Sequence, residues 1–382
     1  MKLQLTVASQ QQQIGRISPY FSQEGPSALP PTTFHRVKRT MHDSKLTIAV
    51  LFGGTSEERE VSISSAAQVI KALRSVGHSV VAIDTAFGPL SPEEDARILT
   101  SSVNDTPPPP NVMAQLPSAA FDLLRFRELT DADVVFLALH GGTGEDGTIQ
   151  AMLDMAGMPY TGSGHVGSAI AMNKNVTKRL FSACGIRTPR WLMLPGDADD
   201  IRWRVGYPLI VKPNRQGSTV GLSLVRAPEA LEDAVNLARR FDTQVMVEQF
   251  IEGRELTVGV LGAHALSVGE IFVKAGEVFD YRSKYQAGHV LEKFPADLPA
   301  DTLEAAQRIA LRAHALLELD GYSRTDLRLD AQGNLWCLEV NTLPGMTATS
   351  LLPQSAAASG IQFSKLCEQI CFAAINRHKV LA

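Results

Sequence analysis

Cysteine is scarce in this chain, with four in 382 residues. Cys184, Cys337, Cys367 and Cys371 have no CxxC spacing and no clustered histidines beside them, so neither a disulfide framework nor a zinc site is indicated. Cys367 and Cys371 stand at i, i+4 on an expected final helix and read as buried free thiols. Long apolar runs are missing as well. No stretch reaches the roughly 18–20 residues of a membrane span, so no membrane partner and a cytosolic, cytoplasmic location are expected. Charge of one sign is missing too: a net charge of -4 gives no reason to expect nucleic acid or an anionic membrane as partner. The GxxxxGK[ST] pattern is absent, which argues against a P-loop kinase, and no internal repeat is visible.

What is present is ordinary globular sequence, 45% apolar and 20% charged, long enough for two or three domains. Residues 1–44 differ. They are rich in Gln, Ser and Pro, with Glu24 the only acid before Asp43, and no amphipathic helix pattern is evident. They are read as a disordered extension rather than a transit peptide. Folded sequence begins at "LTIAVLFGG". A helical stretch "SISSAAQVIKALRSVGH" follows and then "SVVAIDT", a βαβ unit that predicts a parallel sheet. The segment 86–130, with four consecutive prolines at 107–110, reads as an insertion loop with some helix. "DVVFLALHGG" restores the strand-to-glycine pattern, and "TIQAMLDMAGM" reads as the next helix. Ligands of such sheets bind at the carboxyl ends of strands, where Gly53-Gly54 and His140-Gly141-Gly142 fall. After about Tyr160 the pattern turns to mixed α+β. Strands are expected over Pro208–Lys212 and Thr219–Val225, a helix from about Pro228 to Phe241, then further antiparallel hairpins.

The last hairpin, "SRTDLRLDAQGNLWCLEVNTLPGM", carries the most chemistry. Placing Leu327 and Leu329 on one apolar face with Trp336 and Leu338 sets Asp326 opposite Glu339 and Arg328 opposite Cys337, with Asn341 beyond Glu339. Opposed carboxylates destabilise a sheet unless something positive lies between them. Oxygen-only ligands suit a hard cation such as Mg²⁺. A solvated outer face neutralised by Arg328 and nearby lysines fits the hairpin equally well. The other signals are modest singly. "KPNRQGSTVG" (Lys212 to Gly221) is a Gly/Ser loop whose amides, with the Ser218 and Thr219 hydroxyls, suit phosphate or an ordinary hairpin turn. "GGTSEEREVS" offers three acids that would also suit a helix N-terminus. His140 ends a buried strand. "DYRSKYQAGH", with Lys284 and Tyr285, suits a lid loop, and Gly345 after Pro344 places a permissive backbone beside the strand end of Arg324.

Taken together and in order, the motifs "LFGGTSEEREVS", "LHGGTGEDGTIQAMLDMAGMPYTGS", "MNK", "VKPNRQGSTVG", "YRSKY", "GYSRTDLRLD" and "LEVNTLPGMT" followed by "TSLLP" resemble the D-alanine:D-alanine ligases of the ATP-grasp superfamily, over about Leu46 to Leu366. The resemblance implies an α/β and α+β architecture in three parts: an N-terminal Rossmann-like parallel-sheet domain (45–160), a central ATP-grasp lid (161–254) and a C-terminal catalytic domain (255–382). It implies that ATP phosphorylates the carboxylate of one D-alanine, that the amine of a second attacks the acyl phosphate, and that the product serves peptidoglycan synthesis. In similar enzymes Asp326, Glu339 and Asn341 would hold two Mg²⁺ or Mn²⁺ ions bridging the ATP phosphates.

By position, Lys174 and Lys212 match phosphate-reaching lysines, Glu248 and Ile251 the segment that meets adenine, and Glu255 the ribose contact. Gln249 stands where some relatives carry Lys. Glu58 matches the residue that binds the first substrate's ammonium, beside His140. Lys284 matches a lysine on the transferring phosphoryl group. Tyr285 would link with Ser218 and Glu58 to close the lid, Arg324 and the Gly345 N–H match the oxyanion hole, and Ser350 and Leu351 match the second substrate's carboxylate site. Tyr at 285 goes with D-alanine rather than D-lactate as second substrate. A homodimer is implied. The rivals are a D-lactate or D-serine ligase on the same scaffold, and a catalytically silent ATP-binding protein.

Overall fold

The first strand, β1 (Thr47–Phe52), is apolar and buried at every position after Thr47, as a strand covered on both faces must be. The computed structural model describes residues 45–381 apart from 99–107, 109, 114, 117–121, 197 and 273–290. β1 pairs in parallel with β2 (Ser79–Asp84) and, with β3 (Gly88–Pro89) and β4 (Val134–Leu137), forms a sheet of order β3-β2-β1-β4. The Arg59–Ser75 helix makes the crossover from β1 to β2 and buries Val61, Val69, Ile70 and Leu73. Each such side chain, fully buried, contributes roughly 1.5–3 kcal/mol. The chain's last helix, Phe363–Leu381, returns to this first layer and adds Leu366, Cys367, Ile370 and Cys371 to the same core. In the insertion the described elements are β3 and short helices, Pro92–Ile98, Pro110–Met113, Leu123–Arg125 and Arg127–Thr130.

The second sheet is antiparallel, in the order β5-β8-β6-β7, from β5 (Trp191–Met193), β6 (Leu209–Pro213), β7 (Ser223–Val225) and β8 (Val245–Gln249). The Leu231–Arg239 helix packs Ala234, Val235 and Ala238 into its core. The strand expected over Thr219–Val225 is shorter. Ser218 and Thr219 take left-handed backbone, φ 49° and 59°, and Leu222 N–H bonds back to the Thr219 carbonyl, so the run opens as a turn.

The third sheet has the order β11-β10-β9-β12-β13, from β9 (Arg254–Leu261), β10 (His264–Phe272), β11 (Leu291–Lys293), β12 (Tyr322–Leu329) and β13 (Leu335–Asn341). The Ala300–Leu316 helix lays Ala306, Ala310 and Ala313 against it, side chains small enough for close approach.

One register expectation is corrected here. Asp326 does stand opposite Glu339, but the pairing shifts between Asp326 and Leu327, so Leu327 faces Cys337 and Arg328 faces Trp336. Leu338 is the extra residue of a β-bulge. The core face is therefore Leu327, Leu329, Leu335 and Cys337, while Leu338 turns with Asp326 and Glu339 into the cleft between the second and third sheets. The hairpin turn forms as its residues dictate: Gly333, at φ 80°, bonds to the Asp330 carbonyl.

Candidate active site

The floor of the cleft is the β12–β13 hairpin. Arg324 grips Asp326 with two bonds, Nε to Oδ1 at 2.9 Å and Nη2 to Oδ2 at 2.7 Å. The Thr257 hydroxyl donates to Asp326 Oδ1 (2.8 Å), and Asn341 Nδ2 donates to Oδ2 (3.1 Å). Lys174 Nζ lies 3.1 Å from Glu339 Oε2. The positive charge that opposed carboxylates demand is thus supplied by Arg324 and Lys174. Among the described residues no group of three His, Cys, Asp or Glu side chains forms a metal cage. Two carboxylates and an amide oxygen do fit a hard divalent cation that completes its shell with water and phosphate oxygens.

Lys174 is aimed by the start of its helix. Asn173 caps the Lys174–Ala183 helix by accepting from Val176 N–H (3.2 Å), and Asn214 Nδ2 donates to the same Asn173 oxygen (2.9 Å). Asn214, fully buried, also accepts from Asn175 N–H and so fastens the helix to the loop that follows Lys212. Lys174 Nζ then donates to the Gln216 carbonyl at 2.7 Å. One turn along the helix, Lys178 is wholly buried. It contacts Glu248 Oε2 at 2.5 Å and donates to Thr188 Oγ1, while Lys212 donates to Glu248 Oε1 at 2.6 Å. Burial pulls the Lys178 ammonium down to about 8. Burial works to raise the Glu248 carboxyl, but the two lysines outweigh it and hold it below the usual range.

A solvent-open cleft enclosing about 820 Å³ of empty space is lined by Lys174, Lys212, Glu248, Gln249, Ile251, Glu255, Asp326, Leu338 and Glu339 among others. At one end Arg328 pairs with Glu255 at 3.0 Å and stacks over Phe250. Gln249 Oε1 accepts from Arg190 Nε (3.1 Å).

A second constellation gathers at the carboxyl ends of β1 and β4. Ser218 donates its hydroxyl to Glu58 Oε1. Two glycines are needed for this approach, since a Cβ at Gly217 would stand 2.6 Å, and one at Gly141 2.8 Å, from Glu58 Oε2. His140 is buried between Leu343 O (2.8 Å from Nδ1) and Ser65 Oγ (2.9 Å from Nε2). A carbonyl only accepts, so Nδ1 carries the proton and Nε2 accepts from Ser65, whose oxygen accepts in turn from Met346 N–H (3.2 Å). Burial pulls His140 down to about 4, so the ring is neutral. Glu145 accepts from Gly141 N–H (3.1 Å) and Leu343 N–H (3.3 Å). Its burial, and then the charge of Glu58, push it up to about 7.

The sequence-predicted residues therefore fall into three neighbouring groups. Lys174, Lys212, Glu248, Gln249, Ile251, Glu255, Asp326 and Glu339 line the cleft, with Arg324 and Asn341 joined to it through Asp326. Glu58 and Ser218 meet at the first sheet, where the His140 carbonyl accepts from the Ser56 hydroxyl two residues before Glu58. Gly345, Ser350 and Leu351 sit on the segment that His140 and Ser65 tie down. Gly345 is not in left-handed backbone. Its lack of a side chain matters because a Cβ there would stand 2.9 Å from the Ser350 hydroxyl. Lys284 and Tyr285 lie outside the described residues. Sequence reasoning missed Lys178, Asn214, Ser65 and Glu145. Lys178 carried a signal, being four residues after Lys174 on a helical pattern and so on the same face.

A family model described as D-ala D-ala ligase N-terminus matches residues 47–163, and one described as D-ala D-ala ligase C-terminus matches residues 180–371. The D-alanine--D-alanine ligase of Synechococcus sp. (strain JA-3-3Ab) is 39% identical over 337 residues, 87% of this chain and 94% of that protein. That of Nitratidesulfovibrio vulgaris (strain DP4) is 42% identical over 324 residues, 85% and 96%. Among solved structures, the D-alanine--D-alanine ligase from Bacillus anthracis complexed with ATP superimposes with a TM-score of 0.70 at 31% identity, covering 88% of this chain and 99% of that one. The chain belongs to the D-alanine–D-alanine ligase family.

Proposed function

We propose that this protein uses ATP to join two D-alanine molecules into D-alanyl-D-alanine, releasing ADP and phosphate, as a step in making peptidoglycan precursors. The observation that carries the reading is the opposed pair Asp326 and Glu339, with Lys174 and Lys212 in the same cleft, beside the Glu58–Ser218 contact. The three-part division at 45–160, 161–254 and 255–382 is the working arrangement of that reading, and so is a homodimer, which sedimentation equilibrium tests.

Each residue has a chemical task in it. Glu58, held by Ser218, takes the ammonium of the first D-alanine. The neutral, buried His140 adds no competing positive charge next to that ammonium. Lys174 and Lys212 bind the ATP phosphates at the mouth of the cleft. Asp326, Glu339 and Asn341 would hold Mg²⁺ or Mn²⁺, which would supply positive charge against the phosphates that otherwise repel the attacking carboxylate. The carboxylate oxygen of the first D-alanine displaces ADP from the γ-phosphorus, giving an acyl phosphate. The amine of the second D-alanine then attacks the carbonyl carbon. Arg324 and the Gly345 N–H stabilise the oxyanion that forms before phosphate leaves. Ser350 and Leu351, at the start of the Leu351–Ala358 helix, bind the second carboxylate. The 213–221 loop keeps water from the acyl phosphate.

The test is phosphate release with Mg²⁺-ATP and, separately, D-alanine, D-serine, D-lactate mixed with D-alanine, and L-alanine, each product identified by mass. D-alanyl-D-alanine as the main product, lost in Glu339→Ala, supports the reading. Tight ATP binding without turnover on any of these sinks it.

A further inference from the structure

The burial of Lys178, beside the cleft, has no use in the reaction just described. A wholly buried ammonium is not a fold advantage in itself, because an apolar side chain of similar volume packs as well without the desolvation cost. Its surroundings point to a task. It reaches Glu248 from beneath while Lys212 reaches the same carboxylate from the cleft side, one lysine per oxygen. Thr188 Oγ1 and the Trp191 ring, 5.3 Å from Nζ, fix the ammonium from its other sides. The oxygen that Lys178 meets, Oε2, is buried, while the Glu248 side chain also lines the cleft. Lys178 also shares a helix face with Lys174, about 6 Å along the axis, and Lys174 reaches Glu339.

We propose that Lys178 is a positioning residue of the nucleotide site. Pairing with Glu248 from below, it keeps that carboxylate an acceptor-only group that favours a base presenting an amino donor. It also anchors the helix that aims Lys174 at the hairpin. The inference rests on the ATP-dependent reading above and assigns it a source of base selectivity. An ionised carboxylate accepts an amino group and repels a 6-oxo group, so adenine is taken and hypoxanthine refused. The depressed ammonium of Lys178, still charged at neutral pH, agrees with this.

Titration calorimetry of the full chain with ATP and with inosine triphosphate, beside steady-state kinetics, tests it. In Lys178→Met the expected result is a loss of about tenfold or more in ATP affinity, collapse of the ATP preference, and a KM for D-alanine within about twofold of wild type. Glu248→Gln should reproduce the loss, and the double variant should lose no more than either single one. Thr188→Val, which frees one side of the ammonium without removing it, guards against misfolding and should show a smaller loss of the same kind. Preserved ATP preference in a folded Lys178→Met, or equal weakening of both nucleotides, overturns the proposal. If the wild type binds ATP selectively yet makes no dipeptide, the ligase reading fails while the calorimetry still decides the role of Lys178.

Discussion

The hydroxyl of Ser218 donates to the carboxylate of Glu58 across a separation of 160 residues, and so stitches the loop after β6 to the first helix of the N-terminal sheet. Ser218 holds this position with left-handed backbone, φ 49°, a conformation that costs a non-glycine residue about 1 kcal/mol or more. The contact places the 213–221 loop on the carboxylate proposed to take the first substrate.

Ser218→Ala removes the bond and keeps the fold. The expected outcome is a fall of about 10–100-fold in kcat/KM for D-alanine, with about 1 kcal/mol lost from unfolding free energy. Gly217→Ala should act in the same direction by steric means, since its Cβ would stand 2.6 Å from Glu58 Oε2. Steady-state kinetics with urea melts separate the two effects.

Arg324→Lys keeps the charge but loses the planar fork that holds both oxygens of Asp326. A lysine there cannot fix Asp326 and meet an oxyanion with parallel N–H groups. A drop in kcat of about 10²–10³-fold is expected, with the melting temperature little changed. Single-turnover phosphate release checks it.

His140 and Glu145 give opposite pH dependences. The His140 ring falls to about 4 from 6.5, so the unfolded chain takes up a proton that the folded one refuses. Its stabilising contribution is present above pH 6.5 and is lost as the pH falls toward 4. Glu145 rises to about 7 from 4.5, so its contribution is present below pH 4.5 and is lost as the pH rises toward 7. Where the windows overlap, the two slopes offset each other. Relative to wild type, His140→Gln should therefore lose stability as pH rises through the histidine window, and Glu145→Gln should gain it through the glutamate window. Each slope is at most about 1.4 kcal/mol per pH unit. Urea melts across that range would show parallel curves if the assignment were wrong.

Thiol reactivity follows from burial. Cys184 is exposed, whereas Cys337, Cys367 and Cys371 are buried and their thiols are pushed up by desolvation. A chromogenic disulfide reagent should titrate one thiol in the native protein and four after unfolding. Cys184→Ser should abolish the native reaction.

Much of the hairpin was legible because side-chain alternation is a local property of the chain. Period two placed Asp326 opposite Glu339, and the turn residues placed Gly333. The bulge at Leu338 was not legible. Arg328↔Trp336 and Arg328↔Cys337 satisfy similar patterns, and the choice between them rests on what fills the core behind Leu327 and what opens into the cleft. The strand expected from Thr219 was shortened for a related reason, since the turn there serves the reach of Ser218 to Glu58 rather than its own β propensity.

By itself the sequence determined the parallel strands β2, β1 and β4 of the first sheet, the antiparallel hairpins, the motif order and the residue types available for chemistry. All of these follow from periodicity, turn residues and spacing along the chain. Tertiary structure alone decided which of those residues meet. The lysine pair on Glu248, the His140–Ser65–Met346 chain and the raised carboxyl of Glu145 join segments far apart in sequence. The physical reason is that charge pairing and desolvation depend on distance and burial in space, and neither is written in any local pattern.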